Sequence, residues 1–374
     1  MLQLIVTAKK LNKRKPIPVN FSDSSTIAGT VTEGYSFEGT EAAINEIPNS
    51  ATGKWYKDRD GYFYWGAGLK IAAISSISFD ENKIDAAINI GWGLQKLSIK
   101  KLWVAAQNKG NTIKIAILDT GISSTHPEFE KAKITRYNVL TAGTDTEDFD
   151  GHGSHVAGIL IANGIMATGV APEADLVIIK IAEKTTSWEI ANVVKGIQHA
   201  IEEKAHIISI SGEFPNRNPD LEILKQKIQE ANAAGIIIIA SAGNNFREVP
   251  VESFPAAFEE CLSIGSITKD GVRADSSSLS TQLDLVAPGE EILSAWTGTD
   301  YRVESGTSMA TPMVAGIAAI LLSYSKTFLH KSITPSEMET ILKKTADDAG
   351  TAGFDFAYGF GIINPLKALE LLKT

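Results

Sequence analysis

The 374-residue chain has one cysteine, Cys261. A lone thiol excludes an intrachain disulfide framework, so a packed core must hold the fold. Its surroundings, Cys261-Leu262-Ser263-Ile264-Gly265, read as a buried strand. No uninterrupted run of 18 or more apolar residues occurs, so no membrane-spanning helix is expected. The N-terminal apolar run, Leu2 to Val6, is short and lacks a basic leader, unlike a secretory signal. The chain is therefore expected to stay in the cytoplasm, or to be secreted only if a leader has been removed. Bases are outnumbered, 35 Lys and Arg against 44 Asp and Glu, and the net charge of −9 argues against a nucleic-acid partner. Internal repeats and low-complexity tracts are missing as well.

What remains is ordinary globular composition, 44% hydrophobic and 21% charged, in a length sufficient for one large and one small domain. The first 70 positions differ in texture. They hold nine of the 28 aromatic residues, and with nine basic and seven acidic residues they are slightly positive. Residues 26–31 and 34–38 read as two strands across a turn, and 54–66 as a hairpin around Asp60-Gly61. The rhythm and the Trp-Tyr hairpin resemble a bacterial SH3-like β-barrel, whose aromatics would pack its core or line a peptide or glycan groove. Residues 71–90 read as a linker, and 91–374 as the large domain. Within it, apolar strand candidates lie at 113–118, 175–181, 206–211, 236–241 and 261–267, with amphipathic helices between them at 189–203 and 219–234. Short buried strands alternating with helices indicate a doubly wound, parallel α/β sheet.

Three segments carry chemistry. Ile117-Leu118-Asp119-Thr120-Gly121 places a carboxylate at a strand's carboxyl end, where open α/β sheets build their sites. Asp150-Gly151-His152-Gly153-Ser154-His155 supplies an imidazole, and Gly306-Thr307-Ser308-Met309-Ala310-Thr311-Pro312 a serine leading into an apolar helical run, 309–323. A serine hydroxyl needs a base to remove its proton, and the imidazole needs a carboxylate to fix its tautomer. Pro312 suits a helix first turn, which would put Ser308 at a helix N-terminus with free N–H groups. Taken singly, each piece has a plainer reading: Asp119 as a cap, Ser308 as a cap, His152 with His155 as zinc ligands.

In this order, together with Ala242-Gly243-Asn244, the segments resemble a subtilisin-type (S8) serine protease over the stretch from Trp92 to the C-terminus. The resemblance implies a subtilisin-like fold and a serine endopeptidase acting through an acyl-enzyme. Asp119, His152 and Ser308 would form the triad and Asn244 the oxyanion hole, with His126 and His155 structural. A catalytically silent peptide-binding relative, or an esterase or acyltransferase on the same triad, are the alternatives. The partner would be a protein or peptide.

The family's substrate-pairing strand corresponds to Ile210-Ser211-Gly212-Glu213-Phe214. Ser211 is kept, but Glu213 replaces a small residue, where it would favour a basic side chain, narrow the pocket or turn to solvent. Ser253 would lie near the pocket floor. Family members often hold calcium in the loop before a Gly-Val-Ala-Pro turn, here Gly169 to Pro172. The 161–168 loop is shortened and carries no carboxylate, and Glu128 is the one acid at a ligand-like position. No cofactor or metal is therefore expected. The acidic run Asp145, Glu147, Asp148 and Asp150 reads as a solvated face. Residues 1–90 do not resemble the family's prodomain, so folding without one is expected.

Overall fold

The computed structural model describes residues 90–374 apart from Arg247 and Glu248, together with the backbones of seven strands before residue 90. Those strands are β1 (Leu2–Val6), β2 (Lys10–Arg14), β3 (Ile27–Thr32), β4 (Ser36–Glu41), β5 (Trp55–Asp58), β6 (Phe63–Trp65) and β7 (Leu69–Ile71). They pair antiparallel in the order β3-β2-β6-β5-β4-β1-β7. The hairpin around Asp60-Gly61 is β5–β6, with Trp55 opposite Trp65. The other expected pair differs: β3 joins β2, and β4 joins β1 and β5. Alternation marks a strand without naming its partner. The aromatic side chains of this segment, and the linker expected up to residue 89, lie outside the described residues.

The segment from Ile90 onward belongs to a separate unit. Its centre is a seven-stranded, wholly parallel sheet in the order β16-β15-β13-β11-β8-β10-β9. The strands are β8 (Lys114–Asp119), β9 (Ile134–Asn138), β10 (Asp175–Lys180), β11 (Ile207–Ile210), β13 (Ile237–Ser241), β15 (Cys261–Ile267) and β16 (Leu285–Pro288). Two short ribbons complete the count: β12 (Phe214–Pro215) with β14 (Ser253–Phe254), and β17 (Ile292–Ala295) with β18 (Tyr301–Glu304). The five expected strands are all present within a residue or so. The edge strands β9 and β16 escaped prediction, because β9 is half exposed and β16 is four residues long and ends in Pro288.

Helices α1 (Trp92–Lys96) and α2 (Ile99–Ala106) precede the sheet. Helices α4 (Ile190–Glu202) and α5 (Leu221–Ala233) bury Val193, Ile197, Leu224 and Ile228 against one face, over Leu118, Ile179, Ile208 and Ile238. Helices α3 (His152–Ile161) and α6 (Thr307–Tyr324) pack together, and α6 lies along β11, β13, β15 and β16. Helices α7 (Pro335–Thr345) and α8 (Pro365–Leu372) close the unit. The segment Thr307–Leu329 is long and apolar enough to span a membrane by length and composition alone, although polar residues interrupt its apolar run. It is 83% buried inside the protein, as befits the core helix of the sheet.

From β8 the chain runs to β9 and β10 on one side and later to β11 and β13 on the other. The carboxyl end of β8 is thus a topological switch point, where a crevice opens. Asp119 is the last residue of β8.

Candidate active site

Asp119 is 1% exposed. Its Oδ1 accepts from His152 Nδ1 at 2.8 Å and from the Thr120 backbone N–H at 2.7 Å. Oδ2 is buried without a hydrogen-bond partner among the described residues. The imidazole is therefore the main group balancing this charge, in surroundings that screen it little. Burial pushes the His152 pKa down, but the attraction of Asp119, with smaller pulls from Asp150 and Asp148, outweighs it and leaves a net upward shift.

His152 opens α3, and its position depends on a residue that sequence reasoning missed. Asp148 was read with its acidic neighbours as a solvated face, yet it is 1% exposed. Its Oδ1 accepts from Thr120 Oγ1 (2.9 Å) and from the N–H groups of Asp150 (3.1 Å) and Gly151 (2.9 Å). Its Oδ2 accepts from Ser154 N–H (2.8 Å) and Ser154 Oγ (2.7 Å). It thus satisfies the Ser154 N–H in the first turn of α3 and the N–H groups of Asp150 and Gly151 just before it, and sets a negative charge at the helix's positive end. The Thr120 hydroxyl in turn accepts from Gly153 N–H at 2.9 Å. A Cβ on Gly153 would sit 2.3 Å from the Gly121 carbonyl oxygen, so only glycine lets the helix approach the turn after Asp119 this closely. The detectable signal was an acid three residues ahead of a glycine at a helix start. Asp145, by contrast, is exposed as expected.

Ser308 is the second residue of α6. Pro312 is not in the first turn, as expected, but inside the helix. A proline there has no N–H to give to the carbonyl four residues earlier, which is that of Ser308. Ser211 Oγ donates to that carbonyl instead, at 3.0 Å. Reciprocally, Ser308 Oγ donates to the Ser211 carbonyl at 3.2 Å. Among the described residues no hydrogen bond joins Ser308 to His152, but both line one cleft of about 300 Å³ with Ser211, Gly212, Glu213 and Asn244.

Asn244 accepts from the Thr307 N–H at 3.0 Å and from Thr307 Oγ1 at 3.2 Å through its side-chain oxygen. That leaves its amide N–H groups as donors to the cleft. Glu213 is exposed, in line with the reading that turns it to solvent, and at the cleft wall its Oε2 accepts from Ser253 Oγ at 2.5 Å. Ser253 lies behind Glu213 and outside the cleft lining.

The two other histidines in question hold structure. His126 Nδ1 accepts from Glu128 N–H (3.2 Å), and its Nε2 faces the Asp300 carbonyl (2.9 Å). Burial lowers its pKa, only partly opposed by the Asp300 carbonyl and nearby acids. His155 Nε2 faces the carbonyls of Ile292 and Arg302 in the β17–β18 ribbon, and burial lowers its pKa to about 4.

The residues at the family's calcium loop do not fit a cation. Glu128, fully buried, accepts from the N–H groups of Ile165 (3.1 Å), Met166 (2.6 Å) and Ala167 (2.9 Å) and from Tyr301 Oη (3.0 Å). Four donors within the protein already engage this carboxylate, three at Oε1 and one at Oε2, where a cation would need free oxygen ligands. Burial and the Glu128 carboxylate hold the Tyr301 phenol well above its ordinary pKa, so it stays a donor.

The sequence profile of the subtilase family (Peptidase_S8) matches residues 110–361. An intracellular serine protease of Paenibacillus polymyxa is 35% identical over 266 residues, 68% of this chain and 79% of that protein. The major intracellular serine protease of Bacillus subtilis strain 168 is 34% identical over 282 residues, 71% and 86% of the two chains. Among solved structures, the prenylagaramide maturation protease PagA superposes with a TM-score of 0.65 at 27% identity, covering 73% of this chain and 98% of that one. The chain belongs to the subtilase family and is a serine-type endopeptidase.

Proposed function

We propose that Asp119, His152 and Ser308 hydrolyse peptide bonds as one unit, with Asn244 and the Ser308 N–H binding the oxyanion. The observation that carries this is the 2.8 Å Asp119–His152 pair facing Ser308 and Asn244 across one cleft. Asp119 accepts the Nδ1 proton and so leaves Nε2 as the basic nitrogen. Once Ser308 Oγ turns to Nε2, it gives up its proton as it attacks the scissile carbonyl. The carbonyl oxygen becomes an oxyanion in reach of the Asn244 amide and the Ser308 N–H near the start of α6, where the helix dipole also favours negative charge. The imidazolium then protonates the leaving amine, and an acyl-enzyme on Ser308 remains. Water, deprotonated by His152, releases the acid and restores Ser308. Ser211 and Gly212 form the edge along which an extended substrate adds as a strand.

The same proposal treats catalysis as metal-independent, because Glu128 closes the loop with donors in place of an ion. It takes residues 1–70 as an SH3-like module that recruits a peptide or glycan, joined by a linker at 71–90. It also takes the enzyme to work inside the cell, as the names of the Paenibacillus and Bacillus relatives say of those proteins.

Ser308→Ala tests the chemistry. The variant should lose casein hydrolysis and labelling by a phosphonyl fluoride while keeping its thermal unfolding midpoint. Because the triad acts as a unit, His152→Ala should cost about as much as the double variant. Casein cleavage by Ser308→Ala at the wild-type rate would refute the assignment.

A further inference from the structure

We propose that Glu213 makes this enzyme select a lysine or arginine immediately before the scissile bond; the inference rests on Ser308 being the nucleophile. Asn244 ties the position of Glu213 to the reacting residue. Its side chain is the oxyanion donor, and its backbone N–H points at Glu213 Oε1, 3.4 Å away. The side chain on the scissile carbonyl's own residue must therefore enter the cleft beside this carboxylate.

The cleft is shaped for a long side chain with a cationic tip. Its lining combines the small residues Gly212, Ser241 and Gly243 with the apolar Trp188 and Met309. Gly243 has φ +100°, and a Cβ there would lie 2.1 Å from Glu213 Oε2. The glycine is what leaves room for the solvent-facing carboxylate of Glu213 at the cleft wall. The ribbon of β12 and β14, with Phe214 opposite Phe254, brings Ser253 alongside to hold it there. A carboxylate offers about four acceptor sites, and the Ser253 hydroxyl and the long Asn244 contact use two, leaving capacity for a further donor.

Charge points the same way. Among the described residues the cleft is lined by two carboxylates, Glu213 and Glu304, and by no lysine or arginine. Glu304 is already paired with Arg302 Nε at 2.7 Å. Glu213 has no cation beside it among the described residues. A guanidinium or ammonium would meet it in a charge-assisted hydrogen bond, while its aliphatic stem covers the glycine walls. An apolar side chain would desolvate the carboxylate without compensation, and an acidic one would be repelled.

The test uses the full-length enzyme and four peptides identical except for Arg, Lys, Phe or Glu before the cut. The kcat/KM for Arg and Lys should exceed that for Phe by roughly tenfold or more, with Glu poorest. Glu213→Gln should reduce the Arg-to-Phe ratio by roughly 10- to 100-fold. Benzamidine, a small planar cation, should inhibit the wild-type enzyme competitively, which needs no variant to fold. A wild-type preference for Phe, an Arg-to-Phe ratio unchanged in Glu213→Gln, or indifference to benzamidine would overturn the assignment of Glu213 alone. Failure to cut any of the peptides would overturn the endopeptidase mechanism with it.

Discussion

Asp148→Asn should both destabilise the protein and change its pH profile. The carboxylate accepts five hydrogen bonds, two at Oδ2 from Ser154 and three at Oδ1 from Thr120, Asp150 and Gly151. An asparagine replaces one oxygen with an NH2 group, which only donates. Placed at Oδ2, it faces the Ser154 N–H; placed at Oδ1, it faces two backbone N–H groups. The first is the milder choice, since Ser154 Oγ can turn to accept, yet one buried N–H still loses its partner. That costs about 1–3 kcal/mol. Loss of the charge at the start of α3 adds about 0.3–1 kcal/mol. The sum, about 1.3–4 kcal/mol, corresponds to a Tm lower by roughly 3–16 °C at about 2–4 °C per kcal/mol. Calorimetry in a Ser308→Ala background removes self-digestion from the measurement. Asp148 also contributes to the upward shift of His152. Catalysis needs neutral His152, so the wild-type acid limb of kcat/KM should lie above the ordinary histidine value of about 6.5. Removing the Asp148 charge lowers the imidazole pKa, keeps it neutral to lower pH and moves that limb towards acid. A residue with a merely structural role would move Tm without moving the limb. Unchanged Tm and unchanged limb together would refute Asp148 as the residue that positions His152, and a plateau of wild-type activity down to about pH 4 would refute a histidine base.

If Glu128 closes its loop with donors, EDTA should leave both Tm and activity unchanged, whereas Glu128→Gln should unfold at a Tm several degrees lower, because its amide faces N–H groups; a fall in Tm on chelation would sink the idea. A chain beginning near Ile90 should fold and cleave short peptides at the full-length rate but process large substrates more slowly, since a recruiting module raises effective concentration. Insoluble protein, or faster peptide cleavage, would instead mark residues 1–89 as a chaperone or cap.

The interior of the sheet was legible because its strands are apolar on both faces. Ile207–Ile210 and Ile237–Ser241 are wholly buried, and a continuous run of that length between helices leaves few other readings. The edge strand Ile134–Asn138, with Thr135 exposed and Arg136 and Tyr137 half-buried, carries no such run. The candidate site residues stood out for a different reason, since Asp119, His152 and Ser308 each sit in a short glycine-bearing segment whose order matched a family. Asp148 and Glu213 were visible as charges but not as directions. Composition cannot show that one acid of four turns inward to a helix start, nor that a glycine thirty residues away leaves room for a carboxylate.

Pro312 shows how a local rule can be right in kind and wrong in place. The preference of proline for helix starts suggested a first-turn position, but the helix begins at Thr307, so the proline falls in its interior. An interior proline costs about 3 kcal/mol when the carbonyl it abandons finds no other donor. Here that carbonyl belongs to Ser308, and the hydroxyl of Ser211 takes the vacant place. The defect in α6 therefore fastens the helix that carries the nucleophile to the strand end along which the substrate is proposed to lie. A residue that interrupts the helix ladder at this one point opens the carbonyl through which α6 is tied to Ser211, which propensity alone would count only as a penalty.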